Sequence, residues 1–201
     1  ITLILEENVS VDEIKLEATK SLGGADITIA ANRIIERDDL AMVSVATPLG
    51  GDAALKRALK AGHGLAMPSA TCSTTSKNGM RAVNTAPDQM LLVFAHTTPD
   101  AEHHVQTGLK GTGYTTDQTD SLVAIEISGP DTMAAMERLC PLDLHPDNFG
   151  TDMAGRTVME HMAATIICLA DAHFLLLAAS SSAQSFLHAI QTSYRNVTGA
   201  A

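Results

Sequence analysis

Two short apolar runs, Met-Leu-Leu-Val-Phe-Ala at 90–95 and Phe-Leu-Leu-Leu-Ala-Ala at 174–179, constrain the fold more than any other feature of this chain. The unbroken apolar character of Leu91–Phe94 predicts a strand buried on both faces. Aligning Gln89 with His173, an offset of 173 − 89 = 84, lays one run on the other, and a helical pattern begins four to six residues after each. Aligning Val45 with Ile125, an offset of 125 − 45 = 80, lays strand on strand and Leu59 on Leu139. Each half thus reads strand, helix, strand, strand, helix. This is the pattern of two similar α+β units arisen by duplication. Hairpin-like connections dominate, so the sheets should be antiparallel or mixed.

The second unit opens on the clearest junction in the chain. Val123, Ile125 and Ile127 alternate with Ala124, Glu126 and Ser128, as in a strand with one buried face. Gly129-Pro130 then turns the chain, and Pro130 suits a first helical position, with Asp131 favouring the helix dipole. Met133, Met136 and Cys140 form one apolar stripe, and the helix must stop before Pro141. Leu142-Asp143-Leu144-His145-Pro146 follows, with two leucines to bury and an Asp and a His to orient, the mixture expected of an interface or site loop.

Elsewhere the patterns predict strands at 27–29, 42–47, 80–84 and 89–94, the last two joined as a hairpin across Ala86-Pro87-Asp88. Helices are expected at 11–20, at 52–60 with Leu55, Ala58 and Leu59 inward, and from Thr98 with Ala101, Val105 and Leu109 buried. Residues 157–169 and 174–178 read as a second hairpin, and 180–193 as a last helix striped by Ala183, Phe186, Leu187 and Ile190. Glu36–Asp39 reads as a solvated charged turn and Pro68–Asn78, full of small hydroxyl residues, as an exposed loop. Glycine-rich, polar Gly111–Asp120 marks the boundary between halves. The expected division is an N-terminal arm or cap at 1–38, a first unit at 39–115 and a second at 116–201.

No constellation of catalytic residues emerges. The eight histidines lack an HExxH or clustered Cys/His spacing, and His103 and His104, adjacent on a helix, point to different sides, so no metal site is expected. Gly111-Thr112-Gly113 follows a helix and lacks the third glycine of a dinucleotide turn. The Ser69–Ser76 stretch has no G-x-S-x-G frame. A formal charge of −10 argues against nucleic acid, whose phosphates would repel it. Cys72, Cys140 and Cys168 are odd in number and lack C-x-x-C spacing, pointing to reduced thiols and a cytoplasmic location. Ile1–Glu6 has neither the length nor the basic flank of a signal peptide, and no apolar run reaches a membrane span, so no membrane partner is expected. Aromatic residues make up only 3% and methionine supplies nine residues, a core that specifies shape weakly and would lean on a partner.

Cys-Pro-Leu-Asp-Leu-His-Pro-Asp-Asn-Phe at 140–149, Gly-Arg-Thr at 155–157, Pro-Asp-Gln at 87–89 and Ala-Gln-Ser-Phe at 183–186 together resemble the gamma subunit of heterotetrameric sarcosine oxidase. The resemblance runs from about Ile27 to about Tyr194 and is strongest at Leu139–Leu144. It implies a fold related to the folate-binding domain of aminomethyltransferases. It further implies a subunit without catalytic, cofactor or metal residues, in a complex that demethylates sarcosine to glycine with tetrahydrofolate as carbon acceptor and hydrogen peroxide as product. FAD and FMN would sit in beta, NAD and tetrahydrofolate in alpha and zinc in delta. The implied partners are those alpha, beta and delta subunits, with the alpha folate domain as the main contact. Leu142, Asp143, Leu144, His145 and Arg156 are the candidate partner-interface residues. The alternatives are the equivalent subunit of another complex, such as N-methylglutamate dehydrogenase, and a free-standing folate-binding protein.

Overall fold

The computed structural model describes residues 19–200. The helix expected at 11–20 lies outside them except for Thr19 and Lys20, which are not helical. The first sheet is built from β3 (Leu40–Ala46), β4 (Ser73–Thr75), β5 (Arg81–Ala86), β6 (Gln89–Ala95) and β7 (Tyr114–Asp117), in the order β4-β5-β6-β3-β7. The second holds β1 (Asp26–Ile29), β2 (Asn32–Glu36), β8 (Leu122–Ser128), β9 (Ala154–Met159), β10 (Met162–Ala170) and β11 (His173–Ala179), in the order β1-β2-β8-β11-β10-β9. Every named pairing is antiparallel.

Four layers result. Helices α1 (Asp52–His63) and α2 (Ala101–Leu109) cover the outer face of the first sheet, where Leu55, Leu59, Val105 and Leu109 meet Val43, Val45, Leu92 and Phe94. Helices α3 (Thr132–Glu137) and α4 (Ala183–Thr198) cover the second, where Met136, Phe186 and Ile190 meet Ile125, Phe174 and Leu176. The inner faces pack sheet on sheet through Met42, Leu91, Val93, Ile167, Leu175 and Leu177. This explains the unbroken apolar runs: alternate residues of β6 and β11 serve different layers, and both layers are dry.

The two units share the strand order β5-β6-β3 and β10-β11-β8, as a duplication requires. β6 and β11 keep the offset of 84 end to end, since 173 − 89 = 179 − 95 = 84. The offset of 80 for the opening strands is corrected to 82, because Val45 opposes Met90 while Ile127 opposes Phe174. The two-residue error leaves every side chain on its face, so the apolar pattern could not expose it.

Other expectations change at polar segments. Ser73–Thr75, inside the stretch read as an exposed loop, is an edge strand with Ser73 and Ser76 buried. Tyr114–Asp117 is an edge strand of the first sheet, so the turn between sheets follows Asp117 rather than Thr115. Asp26–Glu36, assigned to the arm, is the hairpin that widens the second sheet. The strand expected at 157–169 is two strands turning at Glu160-His161, where both residues have positive φ. That is the two-residue hairpin geometry usually announced by Asn-Gly, and Glu-His conceals it. Helix α3 starts at Thr132, not Pro130, and ends at Glu137. Helix α2 starts at Ala101 after Asp100, and Thr98 instead pairs with His96 and Asp100.

Candidate partner-facing site

Where α1 runs 12 residues, its counterpart α3 runs 6, and residues 138–153 occupy the difference. The Cys140–Phe149 stretch is therefore the place where the second unit departs from the first. Its apolar residues anchor it: Cys140, Leu144 and Phe149 are buried and Leu142 is half-buried against the same core. Gly155 on β9 makes the seat, because a Cβ there would stand 2.9 Å from Leu142 Cδ1 and 3.5 Å from Phe149 Cε2. The polar residues face outward. Asp143 accepts the His145 backbone N–H at 3.0 Å and the Asn148 Nδ2–H at 2.6 Å, and these two donors hold its carboxyl below the usual range. The exposed His145 ring accepts the Asp147 N–H through Nδ1 at 3.3 Å.

Of the five expected interface residues, Leu142 and Leu144 thus fix the turn while Asp143 and His145 share its hydrogen bonds. Arg156 does not join them: its guanidinium donates to Thr85 O at 3.2 Å, linking β9 to the end of β5 in the other sheet. A cavity of about 280 Å³ beside the turn is lined by Met133, Leu144, Phe149, Phe174 and Cys168 among others. Burial pushes the Cys168 thiol up, with nearby Asp171 and Asp152 adding to it, and its S–H donates to Ala170 O. The notch is largely apolar, and its one thiol is held in the protonated form.

Two ionic clusters were invisible in the sequence. Glu36–Asp39, expected to be solvated, is structural: Glu36 is 7% exposed and accepts the backbone N–H groups of Leu22 and Gly24. Its neighbour Arg37 pairs with Asp39 at 2.7 Å and with Glu126, which also meets His173 Nε2 at 2.7 Å. Burial pushes the Glu126 carboxyl up, but His173 and Arg37 together bring it below its usual value. In the other cluster Arg81 reaches Asp152, whose backbone oxygen accepts from both Ser73 N–H at 2.6 Å and Ser73 Oγ–H at 3.0 Å. Both clusters tie segments far apart in sequence, which is why no local motif announces them. Among the described residues no group of three or more His, Cys, Asp or Glu side chains is placed to hold a metal. The three cysteines are free thiols, and among the described residues no helix is long and apolar enough to cross a membrane.

The arrangement is that of an α+β fold already seen in solved structures. A chain of the heterotetrameric sarcosine oxidase from Corynebacterium sp. U-96, solved in complex with pyrrole 2-carboxylate, matches with a TM-score of 0.72 at 20% identity. The match covers 85% of this chain and 88% of that one. The glycine cleavage system aminomethyltransferase T from Bartonella henselae matches with a TM-score of 0.52 at 11% identity, over 80% of this chain but only 45% of that one. At these identities the likeness is one of fold. No protein-family model matches the sequence, and no curated protein matches it.

Proposed function

We propose that this chain is the non-catalytic gamma subunit of a heterotetrameric sarcosine oxidase complex, which demethylates sarcosine to glycine with tetrahydrofolate as carbon acceptor and hydrogen peroxide as product. The observation that carries the reading is the two-way coverage. This chain and the chain from the oxidase match over nearly their whole lengths, whereas it spans less than half of the aminomethyltransferase. That one chain of the oxidase is little longer than the matched region supports reading this chain as a whole subunit of such an assembly. The scattered ionic groups, each engaged in holding the fold, support a role in assembly rather than turnover. In this reading FAD, FMN, NAD, zinc and tetrahydrofolate belong to the alpha, beta and delta subunits, and the Leu142–His145 turn faces the alpha folate domain.

The test is co-expression of the tagged chain with alpha, beta and delta subunits of the sarcosine oxidase type. A flavin-containing complex that copurifies and produces peroxide from sarcosine is the expected result, with Asp143→Ala weakening recovery of the large subunits while the chain stays folded. A complex that oxidises N-methylglutamate and not sarcosine, or a chain that purifies alone and binds tetrahydrofolate, would overturn the reading.

A further inference from the structure

On the outer face of the first sheet, α1 and α2 meet backbone to backbone. A Cβ on Gly62 would stand 2.3 Å from Gly108 O, and one on Gly108 would stand 2.2 Å from His63 Nε2. The two glycines let the His63 ring lie across α2, where Nε2–H donates to Val105 O at 3.0 Å. Beyond the crossing opens a cleft of about 650 Å³, bounded by both helices and by the turn from β4 to β5. That volume falls in the range of small-molecule sites.

The chemistry of its lining runs against the rest of the molecule. The chain carries 23 acidic residues against 13 Lys and Arg, yet Lys60, Lys77, His63, His103 and His104 line this cleft and Asp100 is the one carboxylate there. That carboxylate is already engaged: Asp100 Oδ1 lies 2.7 Å from His96 Nε2 and also accepts from the Thr98 hydroxyl. Lys60 and His63 have a structural reason to be where they are, since both sit in the last turn of α1, where cations offset the helix dipole. Lys77 has none. It projects from a turn pinned from beneath by Ser76, a residue 8% exposed whose hydroxyl bonds Asn78 and lies 3.1 Å from Met80 O. Across the cleft the ring of His104 stacks on that of His96 at 5.5 Å and contacts those of Phe94 at 5.6 Å and His63 at 6.1 Å. Lysines from α1 and from the β4–β5 turn, with histidines from α1 and α2, thus ring one hollow, and positive charge around a concave surface concentrates anions locally even on an acidic protein.

We propose that this cleft binds a small phosphate-bearing ligand, a phosphate monoester or a diphosphate. Arginine, whose planar fork grips carboxylates and phosphates alike, is absent from the lining, so the charge there is supplied by lysine. Lysine ammonium groups act as point charges that approach a tetrahedral oxyanion from several sides. The Asn78 amide N–H, whose oxygen takes the Ser76 hydroxyl, adds a neutral donor at the same rim. The site lies on the outer helices of the first unit, apart from the turn at 140–149, and does not depend on the assembly proposed above.

Titration of the full-length chain with inorganic pyrophosphate, followed calorimetrically and by the ring signals of His63 and His104, tests this. Saturable binding is expected, weakened about tenfold or more in Lys77→Gln and in Lys60→Gln, as for loss of a charge-assisted contact, and unchanged in Lys56→Gln on the same helix. Both cleft lysines are exposed, so a circular dichroism spectrum like that of the parent should accompany the loss. Absence of saturable binding, equal binding of citrate, or equal weakening by Lys56→Gln would each overturn the proposal.

Discussion

Asn32 and Gly129 show how single residues decide the second unit. Asn32 is fully buried, and its amide donates to Ile29 O at 3.2 Å and Asp131 Oδ2 at 2.9 Å while accepting the Asp131 N–H at 2.9 Å. The loop can come that close only because Gly129, at φ 137°, has no Cβ; one would stand 2.4 Å from Asn32 Oδ1. Glu126 has a comparable role at the other side of the strand, and its effect is open to titration. Its carboxyl is lowered in the fold, so the unfolded chain takes up the proton first. The stabilisation is whole above the ordinary glutamate value of about 4.3 and is lost as pH falls through the lower folded value. Other lowered carboxylates titrate in the same window, so the informative quantity is the difference between parent and Glu126→Gln. Urea melts at roughly pH 7 and pH 3.5 should show a smaller loss of stability on acidification in the variant than in the parent. Equal losses would mean that the ion pairs with Arg37 and His173 do not favour the charged form.

At the scale of elements, the turn at 140–149 is held by shape at one point, Gly155 beneath Leu142 and Phe149. Gly155→Val should push the turn off its seat at a cost of about 1–3 kcal/mol, the usual penalty for overpacking. Hydrogen exchange is the measurement: the amides of Leu144 and Phe149 should exchange faster while those of β10 and β11 keep their protection. Unchanged exchange at Leu144 would show that the turn is seated by its hydrogen bonds alone. Burial of Leu144, partial burial of Leu142 and orientation of the acid were legible in the sequence, since alternation of apolar and polar residues around two prolines leaves few other arrangements. The destination of Arg156 was not, because Thr85 lies 71 residues away and nothing local couples them. The same division holds for the fold. Helices α1, α2 and α4 and the apolar strands follow from periodicity, whereas β4 and β7, rich in Ser and Thr, lie at sheet edges where no apolar pattern is required. The boundary expected after Thr115 shifted at one of those polar segments, β7, for that reason.

At the scale of the whole molecule, the layer between the sheets packs the two similar units face to face through one apolar layer. β6 sends Leu91 and Val93 inward and Leu92 and Phe94 to the helices, and β11 does the same with Leu175 and Leu177 against Phe174 and Leu176. Neither sheet could lose its neighbour without exposing a dry apolar face to water. Backbone pairing closes the joint at one end, where Cys72 bridges Met153, Ser73 N–H donates to Asp152 O and Ala154 N–H donates to Thr71 O. Leu177, 2% exposed in the middle of this layer, is the residue with which to test the coupling. Leu177→Ala should lower stability by about 2–5 kcal/mol, the range for a buried leucine whose cavity only partly collapses. If the layer couples the units, the loss reaches both: the slowest amides of β6 in the first sheet and of β11 in the second lose protection by the same factor, and unfolding stays a single transition. Loss of protection confined to the second sheet, with β6 unchanged, would show instead that each unit stands on its own helices and that the duplication left two domains side by side.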